Sequence, residues 1–99
     1  MAISDSAQDR MLRAIADPSR RRILQILKEK RSLLQPRHDG LCASEVEQHL
    51  KLAQSTVSHH MSVLRRAGLV DARKEGLWVW YQRKEGTLRE LGRNLVRSL

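Results

Sequence analysis

A mainly α chain with one small β-hairpin is the fold class this sequence predicts, on three observations. Apolar residues recur at helical spacing in separate segments, most clearly Val57, Met61 and Leu64, and again Leu88, Leu91, Leu95 and Leu99. Residues that cap helices (Asp5, Asp17, Ser44, Thr87) stand near the heads of several such segments. Only one pair of strand-like runs occurs, Leu69–Glu75 and Leu77–Arg83, around Glu75-Gly76.

The elements follow in order. Asp5 with Gln8 fits a capping box and opens a short helix carrying Met11, Leu12 and Ile15 on one side. Asp17-Pro18 restarts the chain, with Asp17 as N-cap and Pro18 at the first helical position. The next helix gathers Ile23, Leu24 and Leu27, while Arg20, Arg21, Arg22, Lys28 and Lys30 occupy much of its remainder. Pro36 and Asp39-Gly40 make the stretch 31–41 a loop longer than most helix connections. Ser44 and Glu47 suggest a second capping box and a short helix from about Glu45 to Leu50. Lys51-Leu52-Ala53 is a turn of the length that joins two crossed helices.

The segment Gln54–Ala67 is two-faced. Val57, Met61 and Leu64 form an apolar stripe; Ser55, Ser58, His59, Ser62 and Arg66 lie opposite, and Gly68 is placed to end the helix at C′. In the hairpin, Trp78, Val79, Trp80 and Tyr81 are strong strand formers, but both faces are apolar, so periodicity leaves open which residues point inward. Thr87 and Glu90 suggest a third capping box before the leucine line that ends the chain.

Composition narrows the function. The chain has 99 residues, enough for one domain over 1–99 with a marginal core, to which dimerisation would add buried area. It contains no Phe, so packing rests on aliphatics plus Trp78, Trp80 and Tyr81. Nineteen Lys and Arg against eleven Asp and Glu give a formal charge of +8, which favours a polyanionic partner because each phosphate contact releases condensed counterions. One cysteine, Cys42, excludes an internal disulfide framework. The opening MAISDSAQDR has no apolar run, and nothing approaches a spanning segment, so the expectation is a soluble cytoplasmic protein without a membrane partner.

A helix that reads DNA needs one apolar face for its own domain and one face of short polar or basic side chains for base edges and phosphates. Gln54–Ala67 has both. Gln54 can pair with adenine, Ser55 and Ser58 can reach bases or phosphates, and His59 can donate to guanine or phosphate; Arg65 and Arg66, late in the helix, suit the backbone better. An ordinary amphipathic surface helix shows the same pattern, but here a short helix and three-residue turn precede it and a basic hairpin follows, as a winged module requires. The helix-turn-helix would run from about 44 to 67 and the wing from about 69 to 83. Arg73 and Lys74 are expected at the hairpin tip, either reaching an adjacent minor groove or sitting in a solvated turn.

Four runs resemble the bacterial ArsR/SmtB winged-helix repressors: Ala16-Asp17-Pro18-Ser19-Arg20-Arg21-Arg22-Ile23-Leu24, Gln54-Ser55-Thr56-Val57-Ser58-His59-His60-Met61, Leu64-Arg65-Arg66-Ala67-Gly68-Leu69-Val70 and Lys74-Glu75-Gly76-Leu77-Trp78-Val79-Trp80-Tyr81. The resemblance covers roughly residues 8–98. It implies a winged helix-turn-helix homodimer built from the first and last helices, binding an inverted-repeat operator in double-stranded DNA and repressing transcription. It points to Gln54, Ser55, Ser58 and His59 as contact positions, in a DNA-binding set completed by Thr56, Ser62, Arg65, Arg66, Arg73 and Lys74. His60 is expected to pack or hydrogen-bond internally. The wing departs from the pattern at Leu77, where relatives often carry Arg. Leu88, Leu91, Leu95 and Leu99 would meet Met11, Leu12 and Ile15 of the same chain, of the partner chain, or both.

Many members of that family sense metals or arsenic, often through Cys-x-Cys in the segment that here reads Leu41-Cys42-Ala43-Ser44-Glu45. A soft-metal site wants two or three thiolates, and Ser44 supplies a neutral hydroxyl instead. The last helix, with Glu90 alone, lacks the His and carboxylate pairs of the family's other site. The expectation is a metal-independent regulator without a cofactor, whose effector the sequence does not identify. A metal-, arsenic- or redox-responsive sensor using Cys42 and His38 is the alternative, and a protein-interaction module is a third reading. Paired carboxylates, a phosphate loop and a nucleophile–base constellation are all missing, and His38, His49, His59 and His60 show no zinc spacing, so no enzyme is expected.

Overall fold

The computed structural model describes residues 3–36 and 39–99, which fold into five helices and three short strands. In chain order these are α1 (Asp5–Ala16), α2 (Pro18–Glu29), β1 (Leu41–Cys42), α3 (Ala43–Leu50), α4 (Gln54–Arg66), β2 (Val70–Glu75), β3 (Trp78–Arg83) and α5 (Glu85–Ser98). The candidate ligand His38 lies outside the described residues. Among the described residues no helix is long and apolar enough to cross a membrane.

The helix starts correct the sequence reading in three places. Ser4, one residue before Asp5, caps α1: its Oγ accepts from the Ala7 N–H at 3.2 Å. Cys42, not Ser44, is the N-cap of α3, and the carboxylate that reaches back to it belongs to Glu45, whose Oε1 accepts from the Cys42 N–H at 3.2 Å. Thr87 lies inside α5, which begins at Glu85 after Lys84 with no side-chain cap. Asp17 and Pro18 stand as expected, with Asp17 Oδ1 accepting from the Arg20 N–H at 3.1 Å.

The hairpin is part of a three-stranded antiparallel sheet ordered β1-β3-β2. The two residues of β1 carry no periodic signal, so this strand was invisible to pattern reading. Leu41 pairs with Tyr81 and Cys42 with Trp80. Gly40, at φ +121°, makes the approach possible, since a Cβ there would collide with the Tyr81 carbonyl oxygen. Tyr81 is the residue of the aromatic run that packs on the core, on the same face as Leu41, while Trp80 is buried on the other face of the sheet, beside Cys42.

The core joins all five helices to the sheet: Met11 and Ala14 of α1, Ile23, Leu24, Ile26 and Leu27 of α2, Val46 of α3, Val57, Met61 and Leu64 of α4, Leu69 and Val70 at the sheet, and Leu91 of α5. Leu91 is 3% exposed and Met11 also buried, so these two residues expected at a dimer contact belong to the protomer's own core. Leu12, Ile15, Leu88 and Leu95 are half-buried, whereas Val96 and Leu99 face outward. The loop between α2 and β1 is also anchored. Ser32 is buried, its Oγ accepting from the Leu34 and Gln35 N–H groups, and Glu45 Oε2 accepts from the Leu33 N–H at 2.8 Å.

Candidate nucleic-acid interface

The arrangement around α4 starts from the turn before it. Lys51 takes a left-handed conformation at φ +56° and its N–H donates to the Glu47 carbonyl at 2.8 Å, closing α3 and redirecting the chain into α4. At the far end Gly68, at φ +79°, donates to the Arg65 carbonyl while the Leu69 N–H donates to the Leu64 carbonyl, both at 3.0 Å. This is a Schellman stop, and the buried Leu64 and Leu69 supply its apolar contact.

Between those ends the burial pattern of α4 has helical period. Val57, His60, Met61 and Leu64 are buried, while Gln54, Ser55, Thr56, Ser58, His59, Arg65 and Arg66 are exposed and Ser62 is half-buried. Ser55, Ser58, His59, Ser62 and Arg66 therefore share one outward face. The inner face rests on α1, α2, α3 and β2. His60, adjacent in sequence to the exposed His59, turns inward, and its Nδ1 lies 3.2 Å from Arg20 Nη1.

The wing differs from expectation at its tip. Glu75 pairs with Trp78, so the turn residues are Gly76 and Leu77. Gly76 has φ +60° and Leu77 does not share the positive φ, the pattern of a type II′ turn, which favours Gly at the first position. Arg73 and Lys74 are not at the tip: they lie within β2, opposite Trp80 and Val79, and point to opposite faces of the sheet. Arg73 Nε lies 3.6 Å from Glu75 Oε1, and the tip is capped by Leu77, which is 98% exposed. The wing base is pinned by Arg83, whose Nη1 donates to the Leu24 carbonyl at 3.1 Å and whose Nε donates to Glu85 at 2.7 Å.

Two titrating groups bear on the scaffold. Burial works against the Glu45 carboxylate, but hydrogen bonds from the Ser32 hydroxyl and the Leu33 and Cys42 N–H groups outweigh it and hold its pKa below the ordinary value. Asp17 is also held low, first by the Arg20 N–H. Cys42 is buried, with its Sγ 3.1 Å from Ser44 Oγ. Among the described residues no group of three or more His, Cys, Asp or Glu is placed to hold a metal ion.

Sequence reasoning missed Arg20, which meets α4 in the interior, and Glu45, which ties the long loop to α3. Nothing local singles either out: Arg20 stands in the run Ser19-Arg20-Arg21-Arg22, and Glu45 lies two residues from Glu47, which offers the same carboxylate.

A short helix, a tight turn, a two-faced helix and a twisted hairpin in this order define a winged helix-turn-helix, a DNA-binding class. Residues 15–73 match the helix-turn-helix domain family. The chain is 36% identical over 81 residues to the uncharacterized HTH-type transcriptional regulator MJ1325 of Methanocaldococcus jannaschii, covering 82% of each. It is 34% identical to the arsenical resistance operon repressor of Staphylococcus aureus, over 86% of this chain and 73% of that one. In fold it matches the solution structure of a homodimeric winged helix-turn-helix domain from Mycobacterium bovis, a possible ArsR-family regulator. The TM-score is 0.72 at 22% identity, over 99% of this chain and 89% of that one. The chain belongs to the helix-turn-helix domain family and, within it, to the ArsR/SmtB winged-helix transcriptional regulators. It is a DNA-binding regulator of transcription, a role without catalysis.

Proposed function

We propose that this chain is a repressor that occupies an inverted-repeat operator as a homodimer, over a single domain spanning 1–99. Each α4 enters one of two successive major grooves about one helical turn apart. The observation that carries this reading is the outward face of α4, where Ser55, Ser58, His59 and Arg66 are free of core contacts while the opposite face is fully packed. Gln54, Ser55, Thr56, Ser58, His59 and Ser62 face base edges and nearby phosphates, and Arg65, Arg66, Arg73 and Lys74 position the backbone. Repression is supported by the S. aureus relative, described as a repressor, and dimerisation by the homodimeric M. bovis domain. Within the protomer, the exposed Val96 and Leu99 of α5, together with the half-buried Leu12, Ile15, Leu88 and Leu95, are the apolar residues left for a second copy.

Metal-independent action fits the donor set. Cys42 is buried beside a serine hydroxyl, and a soft cation would need further thiolates. Zinc, cadmium and arsenite are expected to leave the melting temperature and DNA binding unchanged, since a ligand of the native state raises stability by mass action.

Selection of bound duplexes from a random library at fixed salt tests the proposal. A two-fold symmetric consensus is expected, bound with Kd of roughly 10⁻⁸–10⁻¹¹ M and weakening steeply with salt. An asymmetric site bound by one protomer would overturn the homodimer, and an absence of any enriched sequence would overturn operator reading.

A further inference from the structure

Arg20 and His60 are forty positions apart in the chain and meet where α1, α2 and α4 converge. The guanidinium of Arg20 makes three contacts. Its Nε donates to the Ala14 carbonyl at 2.7 Å, its Nη2 to the Arg13 carbonyl at 3.3 Å, and its Nη1 lies 3.2 Å from His60 Nδ1. Arginine carries donors only, so Nδ1 must accept, and the ring proton sits on Nε2. The Arg20 N–H is itself held by Asp17 at the head of α2. One side chain thus ties the last-turn carbonyls of α1 and the start of α2 to the inner face of α4. His60 is 9% exposed, and the ring of the outward-facing His59 stands 5.8 Å from it.

The other buried residues of α4 are Val57, Met61 and Leu64, with the half-buried Val63 also packed on the core. Apolar packing is non-directional, and an aliphatic face can settle in slightly rotated arrangements at small cost. A charge-assisted hydrogen bond fixes direction as well as distance. Reading base edges requires donors and acceptors held within about 0.5 Å of their productive places.

We propose that Arg20 and His60 are a positioning pair: their hydrogen bond sets the rotation of α4 against α1 and α2, and operator discrimination depends on it although neither group touches DNA. The pair rests on α4 being the reading helix. Through α1 it also links the orientation of the reading helix to the helix proposed to border the second copy.

The test compares affinity for the library-selected duplex with affinity for a random duplex of equal length, at one salt concentration, alongside the melting temperature. In His60→Asn the amide oxygen takes the place of Nδ1 as acceptor. His60→Leu fills the space without an acceptor, and Arg20→Lys keeps the charge but cannot serve α1 and His60 together. His60→Leu and Arg20→Lys are each expected to weaken the selected duplex about tenfold, within the usual range of coupling between sites. Random-duplex binding should stay within about twofold, because net charge is nearly unchanged. The double variant should lose no more than either single one, and His60→Asn should keep most of the discrimination. Equal losses on both duplexes, additive losses in the double variant, or a His60→Asn protein as poor as His60→Leu would each overturn the pair while leaving α4 as the reading helix. A wild-type protein that binds no duplex at all would overturn that reading, and the pair with it.

Discussion

The helix α4 and the wing lie on the same candidate DNA surface, yet the fold holds them in opposite ways. α4 is packed along its whole inner side, closed by Gly68 at one end and the Lys51 turn at the other, and tied through His60 to Arg20. Among the described residues, the wing is held at its base, where Val70 and Tyr81 pack on the core, β3 pairs with β1 and Arg83 bonds to the Leu24 carbonyl, while every residue from Arg73 to Trp78 is exposed. The difference matches the two kinds of contact a DNA-binding protein makes. Base edges demand fixed geometry, whereas phosphates are attracted by charge over several ångströms and tolerate a loosely held cation. The wing is also weakly charged for its position, because Glu75 lies beside Arg73 and the tip is Leu77.

The largest expected effect strikes the anchored side. Leu64→Ala removes a fully buried side chain at the C-terminal stop of α4 and is expected to cost about 2–5 kcal/mol of stability in denaturant unfolding. A cost below about 1 kcal/mol would mean that α4 is less firmly seated than its packing indicates. Next comes the outward face. Ser58→Ala combined with His59→Ala should weaken the selected duplex by about 1–3 kcal/mol with little change on random DNA, measured by fluorescence anisotropy. Equal losses on both would erase the distinction between reading and positioning.

Glu45 supports the same anchored side, through Ser32, Leu33 and Cys42. Because its folded pKa is depressed, its contribution is complete above the unfolded value of about 4.3 and is lost as pH falls through the lower folded value. Glu45→Gln is expected to cost about 1–3 kcal/mol near neutrality, by mispairing buried donors. It should also flatten the decline in stability between about pH 5 and pH 3, read from thermal melts across that range. An unchanged acid limb would remove Glu45 from the account. The smallest effect belongs to the wing: Arg73→Ala with Lys74→Ala should weaken all duplexes alike and lower the salt slope by no more than about 2. A sequence-dependent loss there would give the wing a reading role and break the contrast.

Much of the fold was legible because its determinants are local. The apolar period of α4, the stop at Gly68, the Asp17-Pro18 start and the hairpin each depend on residues within one or two turns of one another. The candidate DNA surface was legible for the same reason, since an outward face is the complement of an inward one. The tip of the wing was not. Whether Arg73 and Lys74 occupy it depends on strand register, and the Glu75–Trp78 pairing moves them back into β2. The starts of α1 and α3 differ from the sequence expectation because Ser4 stands next to Asp5 and Glu45 two residues from Glu47, each pair offering the same kind of acceptor.

By itself, then, the sequence determined that a helix with one packed and one free face would follow a short helix and precede a hairpin, since periodicity and turn chemistry need no distant partner. The tertiary structure alone decided the rest. It placed β1 beside β3, turned Leu91 into the protomer's own core while leaving Val96 and Leu99 outside, joined Glu45 to Leu33 and set Arg20 against His60. Each of those outcomes selects one partner among many chemically equivalent ones far away in the chain, a choice made only when the packed helices bring particular atoms within hydrogen-bonding or van der Waals reach.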